Sequence, residues 1–277
     1  MMRRLRRKVV GASSAARLLI LLSVLVLFLA AFPQAVATQD PYAFDYSAVL
    51  EPPSFQHVLG TDEAGADVFT RIVYGLRLEV AIAIGSVLFA SLIAIPLGVL
   101  AGYGGGLFGS MLTAASTAIL AFPLYLFAVL IVASFGSSLT SLLAVLTLLF
   151  IPQIFVVVRA QASALRVMPF VLAAQAVGVR EPRVVWHHIL PHTLRPLSVI
   201  TPQLMASAIL LEAGLSFLGL GMQPPAITWG TLLFAGKNYS AEAWWYAVST
   251  GLVLTLTAAT LIWAGDLIGK SLTNVRY

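Results

Sequence analysis

Few side chains in this sequence could carry chemistry, and their spacing argues against most of it. His187, His188 and His192 lie close together, and His188 and His192 are four apart, the interval that sets two imidazoles on one helical face for a metal. Pro191 interrupts that turn and no carboxylate stands in a metalloprotease arrangement, so these read as interfacial loop histidines. Ser216 lies in Gly214-Leu215-Ser216-Phe217-Leu218-Gly219, which is not a nucleophile elbow and has no histidine nearby in sequence. Asp266 has no second aspartate within a span with which to form an acid/base dyad, and reads as an interfacial residue. The glycines of Gly104-Gly105-Gly106-Leu107-Phe108-Gly109-Ser110 resemble a phosphate-binding loop but lack its lysine and a preceding strand, so they read as a flexible turn. Cysteine is absent, which removes disulfides and thiolate metal sites. No catalytic residue and no metal ligand is assigned, and the chain reads as something other than an enzyme.

Two polar features remain. One is a basic island, Ala173 to Pro191, in an otherwise apolar chain. Its alanines Ala173, Ala174 and Ala176 favour a helix, Gly178 can take the left-handed conformation that ends it, and Glu181-Pro182 suits the cap and first position of a second helix. The expected object is a helix–turn–helix projecting from the rest, with small alanines that let another surface approach and with Arg180, Arg183 and the histidines for polar contacts. The bland reading is a loop resting on anionic lipid heads, although a lipid-bound helix would carry a broader apolar face. The other feature is Glu212, inside an apolar run; it is the one carboxylate expected more than a helical turn deep in a span, where it must face protein or water. It either lines the outer mouth of a pathway with Ser216 and Gln223 or makes a structural hydrogen bond to the turn at Gly219–Gln223.

The elements that must hold these residues are membrane helices. With 60% hydrophobic and 10% charged residues and a mean hydropathy of +0.95, the chain cannot cover itself with a water-compatible surface, so the bilayer covers it. Six apolar stretches of about 17 to 29 residues can each cross a ~30 Å hydrocarbon core as helices. They are Arg17–Ala37, Leu78–Ala101, Leu107–Phe135, Leu142–Val158, Pro196–Leu218 and Trp244–Ile268. Unbroken runs such as Leu18–Ala31 contradict a transmembrane barrel.

With both termini inside the cell, 13 of the 16 Lys and Arg residues fall on the cytoplasmic side. The acidic segment Gln39–Asp67 then lies outside. The net charge of +5 is an orientation signal and does not point to nucleic acid. The first stretch, with its basic start and Ala35-Val36-Ala37, also fits a cleaved secretory signal, a choice that intact mass would decide. The loops between spans, about 40 residues at most, are too short for an ordinary soluble domain.

Packing signals fit a moving bundle. Pro96, Pro123, Pro152 and Pro202 interrupt the spans where neighbours must satisfy freed carbonyls. Ser86, Ala90, Ala94 and Gly98 form a small-residue stripe that admits a close helix, from this subunit or another.

Ala173-Ala174, Gly178 and Leu190-Pro191 resemble the cytoplasmic "EAA" loop of binding-protein-dependent ABC importer permeases, with Leu172 in place of the usual glutamate and His188 in place of an isoleucine. His57 to Arg71 and Gly75-Leu76-Arg77 resemble the signature before the second span of the C-type subunit in the dipeptide/oligopeptide/nickel subfamily, with Ala66 for a common arginine and Glu79 for a common serine. Glu212 to Pro225 and Trp229-Gly230 resemble the same subfamily's stretch at the end of span five.

The resemblance implies an all-α integral membrane fold with six transmembrane helices and a cytoplasmic coupling helix between spans four and five. It divides the chain into 1–54, a tail with the first helix and the start of the outer loop, and 55–277, the permease domain. It further implies a multi-pass subunit of the bacterial inner membrane that forms half of a pathway for di- or oligopeptides or a related solute such as a nickel chelate. Its implied partners are a homologous permease in a heterodimer, two cytoplasmic ATPases that use ATP and Mg, and an extracytoplasmic binding protein, with no cofactor in this chain. The coupling surface would be Ala173, Ala174, Gly178, Arg180, Arg183, Ile189, Leu190 and Pro191. A self-sufficient channel or ion-coupled carrier is the alternative, but it would want more buried charge or an internal repeat.

Overall fold

The computed structural model describes residues 25–37 and 39–274, and among them it is helical, with a single isolated bridge between Thr61 and Asp67. The first expected span lies partly outside the described residues. Of it, 25–31 are helical and lead into a 3-10 turn at Pro33–Ala35.

Helix α1 is Val68–Gly104. Asp67 caps it, accepting the Thr70 N–H at 2.8 Å, so the helix starts ten residues before the expected Leu78 and carries Arg71, Arg77 and Glu79. At 37 residues it is about 55 Å long, more than a bilayer core needs. The apolar count missed its first three turns because they carry Arg71, which is settled against Asp62, and the exposed Arg77. Gly105 and Gly106 end it with φ of +65° and +68°, conformations only glycine adopts freely, so the expected flexible turn is a defined link to α2, Gly106–Ala121.

The expected single span Leu107–Phe135 is corrected to two helices, α2 and α3, Leu124–Phe135, set 88° apart. Pro123 is the cause: it forces Phe122 into extended backbone (ψ 139°), and the chain turns there. Helix α4 is Leu139–Arg166, capped by Ser138. Then come α5, Pro169–Ala176, α6, Glu181–Val184, and α7, Leu190–Phe217, followed by α8, Trp229–Gly236, and α9, Trp244–Asn274. A π turn, Val185–Ile189, joins α6 to α7 without a break. In it the Leu190 N–H reaches the Val185 carbonyl, five residues back, and this wide turn makes room for the Pro191 ring. Among the described residues four helical stretches are long and apolar enough to cross a membrane, and five if the bent pair counts as one.

The core forms where α1 lies along α4 and α7 along α9. The stripe of small residues makes the first seam. Ser86, Ala90 and Ala94 are fully buried, and a Cβ added at Gly98 would stand 2.8 Å from the Val158 Cβ. Of the two partners the sequence left open for this stripe, the structure supplies α4 of the same chain.

Candidate functional site

The basic island folds as two short helices joined by a turn. Pro169 opens α5, and its end is closed by a paired motif in which the Val179 N–H reaches the Ala174 carbonyl at 3.1 Å and the Gly178 N–H the Gln175 carbonyl at 2.9 Å. Gly178 sits at φ +81°, and a Cβ there would meet nothing within 4 Å. Only the backbone conformation therefore demands glycine. The second helix is capped by Arg180, with Glu181 and Pro182 as its first residues, one position earlier than the sequence suggested.

Val171, Val184 and Ile189 are buried and anchor the unit, and the Gln175 amide donates to the Tyr103 hydroxyl at 2.9 Å, tying α5 to the end of α1. Ala173, Gly178, Arg180, Arg183 and Pro191 are exposed, while Ala174 and Leu190 are half-buried. Between them Leu172, Val177 and Trp186 present apolar surface, exposed by 51%, 83% and 67%. Leu172, in the position usually held by glutamate, thus adds to an apolar patch. The rings of His188 and His192 lie 6.3 and 5.6 Å from that of Phe170, and His187 Nδ1 sits 3.2 Å from the Arg183 carbonyl. Among the described residues no cluster of three metal-ligating side chains occurs.

About 46 Å along the continuous helix from Glu181 stands Glu212. It is fully buried. Its Oε1 accepts the Ser216 hydroxyl at 2.7 Å and the Thr228 hydroxyl at 2.8 Å. Glu212 is not the one deep carboxylate: Glu79, three turns into α1, is also fully buried, and its Oε1 accepts the Trp229 N–H at 2.9 Å. The two carboxyls converge on neighbouring residues, Thr228 and Trp229. Thr228 and Trp229 are the cap and first residue of α8, so both acids hold the start of one short helix. The Trp229 indole also donates to the Ile72 carbonyl at 2.9 Å and lies against Gly75, where a Cβ would come within 3.3 Å of the ring. Sequence reasoning missed Glu79 and Thr228; Asp67 as a helix cap was the signal that would have placed Glu79 deep in α1.

Ser216 is 3% exposed and enclosed, since a Cβ on Gly221 or Gly230 would collide with it. It also lines, with Gln223, Tyr42, Glu63, Arg71 and Tyr246, a cleft of about 780 Å³. Gln223 is exposed and donates to Ser137 at 3.3 Å.

The segment before α1 forms the wall of this end. Buried Asp62 accepts the N–H groups of Ala64 and Ala66 and pairs with Arg71, while Asp67 accepts from Thr70 and faces His57. Gly60 and Gly65 make the required turns at φ +73° and +76°, Gly65 packed on the Asp45 carbonyl. The Ser47 hydroxyl and N–H hold the exposed Asp45 carboxyl below its ordinary range.

The sequence profile described as binding-protein-dependent transport system inner membrane component matches residues 94–274. A Brucella suis protein, provisionally described as a peptide transport system permease, is 34% identical over 94% of this chain and 86% of its own length. A di/tripeptide transport system permease of Pseudomonas aeruginosa is 33% identical over 89% and 84%. Among solved structures, a chain of the inward-facing MetNI methionine ABC transporter superposes with a TM-score of 0.55 at 19% identity, covering 73% of this chain and 95% of that one, a likeness of fold. A multi-pass helical chain with these relatives belongs to the binding-protein-dependent transport system inner membrane components, as a peptide-type ABC permease of the bacterial inner membrane.

Proposed function

We propose that the chain forms half of the translocation pathway of an ATP-driven importer for peptide-like solutes, and that the turn at Ala173–Pro191 receives the movement of its ATPases. The observation that carries this reading is the exposure of Leu172, Val177 and Trp186, with Arg180 and Arg183, at one end of a helix that runs without a break to the cleft at the other. Such a helix acts as a lever: a push on α5 or α6 is carried to the length of α7 beyond Pro202, which moves with the helices packed on it. The turn would face the cytoplasm and the cleft the exterior, as the distribution of basic residues favours.

In this reading a homologous permease completes the pathway as a heterodimer. Two ATPases supply ATP and Mg chemistry, this chain holds no cofactor of its own, and an extracytoplasmic binding protein delivers solute to the cleft side. Ser216 and Gln223 line that cleft, whereas Glu212 is turned into protein and serves it by holding α8. Reconstitution with the cognate permease, ATPases and binding protein tests the assignment, with labelled di- and tripeptides and a nickel chelate offered in parallel. ATP-dependent peptide uptake is expected. Uptake by this chain without ATPases would return it to the self-sufficient carriers, and uptake of the chelate alone would reassign the solute.

A further inference from the structure

The convergence of Glu79 and Glu212 poses a chemical problem. Both side chains are fully buried. The Oε2 atoms of both find no hydroxyl or N–H donor among the described residues, while their Oε1 atoms bind adjacent residues, Thr228 and Trp229, which brings the two carboxyls together. Two ionised carboxylates in that position would repel in a medium that screens little, with no donor to either free oxygen. A proton between them removes the repulsion and satisfies both orphan oxygens at once.

The remaining donors indicate which group carries it. Glu212 accepts two hydroxyls, from Ser216 and Thr228, the pattern that suits an anion, whereas Glu79 accepts only the Trp229 N–H. One negative charge is also what the eight-residue helix α8 favours at its N-terminus. The other ionisable groups named on the packed elements stand apart from the pair. Arg71 of α1 pairs with Asp62, and Arg77 is exposed. Tyr246 of α9 lines the cleft with Glu63 and Arg71. Tyr125 of α3 lies against Gly214. Lys237, just after α8, donates to the Phe217 carbonyl. Arg159 and Arg166 of α4 lie by Gly102 and Gly105, at the other end of α1.

We propose that Glu79 and Glu212 bind one proton between them, Glu79 as the acid and Glu212 as the carboxylate, and that this pair fastens α8 to α1 and α7. Glu79 is a positioning residue, acting through Glu212 and Trp229.

Infrared spectroscopy of the full chain in detergent tests this, alongside equilibrium unfolding as a function of pH. The parent should show a carboxylic C=O band at neutral pH that shifts in D₂O, and Glu79→Gln should lose it. The folded parent holds a proton that its unfolded chain releases, so its folding constant should fall as pH rises through neutrality. The parent should lose up to about tenfold more per pH unit than Glu79→Gln. The glutamine amide can donate to Glu212 and accept from Trp229, so that variant should fold. A parent without the band, a Glu79→Gln chain that keeps it, identical pH slopes, or a Glu79→Gln chain that fails to fold would each overturn the proposal.

Discussion

Gly102→Ala should loosen the seam between α1 and α4 although it adds a single methyl group. A Cβ at Gly102 would stand 2.5 Å from the Arg159 carbonyl oxygen and 2.7 Å from the Ala162 Cβ. The first gap falls short of an ordinary 3.4 Å contact by about 0.9 Å, and the opposing atom is backbone, so no rotamer change relieves it. Overpacking of this kind costs about 1–3 kcal/mol. Separating the helices also weakens the bond from the Ser163 hydroxyl to the Gly102 carbonyl, now 3.1 Å, by up to about 1 kcal/mol. Replacing a helical glycine by alanine returns up to about 1 kcal/mol, which leaves a net loss of about 1–3 kcal/mol.

Gly104→Ala is the matched control. It lies in the same helix with nothing within 4 Å of its added Cβ, and should be neutral or slightly stabilising. Denaturant unfolding of the two variants in detergent measures the difference. Because Tyr103 next door receives the Gln175 amide, ATP-driven transport by the reconstituted complex should fall further in Gly102→Ala than its yield does. Equal midpoints for the two variants would refute the idea that a backbone-to-backbone seam sets the stability of this pair.

Other expectations are as direct. Gly178→Val, with open space around its Cβ but φ at +81°, should strain the turn by about 1–2 kcal/mol; transport should fail while membrane insertion persists, and normal transport would remove this turn from the mechanism. With no phosphate-binding lysine motif, the isolated chain should show no saturable ATP binding, which equilibrium dialysis checks. Since the chain has no cysteine, single cysteines at positions 178 and 63 give clean labelling, and an impermeant thiol reagent added to intact cells should reach only the second. Ser47→Ala should move the Asp45 midpoint back up toward the ordinary carboxylate value. The stabilisation from that bond is present above the unfolded value and lost as pH falls through the folded one, and carboxyl NMR reads the shift.

The sequence made the helical class legible because lipid imposes a coarse and strong pattern, long apolar runs with few charges. Boundaries failed where polar residues belong to a helix for reasons that hydropathy does not weigh. Arg71 is tolerated in α1 because Asp62 lies opposite it, and Glu79 because Trp229, Thr228 and Glu212 converge there from positions about 130 to 150 residues away. That convergence is tertiary, so no local reading reaches it. The bend at Pro123 was legible as an interruption, but its 88° was not, since the angle depends on what α2 and α3 pack against. At the turn of the basic island the reverse holds. Gly178 and the alanines specify their own conformation within a few residues, and the structure departs from the expected cap by one position.

The two ends of the molecule are built to different standards of rigidity, and the helix between them explains why that matters. At the cleft, α8 is held by buried hydrogen bonds from two helices and has little freedom to move alone. At the turn, α5 is held by the Gln175–Tyr103 bond and the buried Val171, and much of its surface is bare. The span between them carries its weak points near the turn: the π turn at Val185–Ile189, then Pro196 and Pro202, each of which removes a backbone donor. Beyond Pro202 the ladder has no further proline up to Phe217. In the proposed reading, a displacement entering at α5 or α6 bends the helix at these points and carries the length beyond Pro202 as one piece, where α8 must follow α7 or break the bonds that join them.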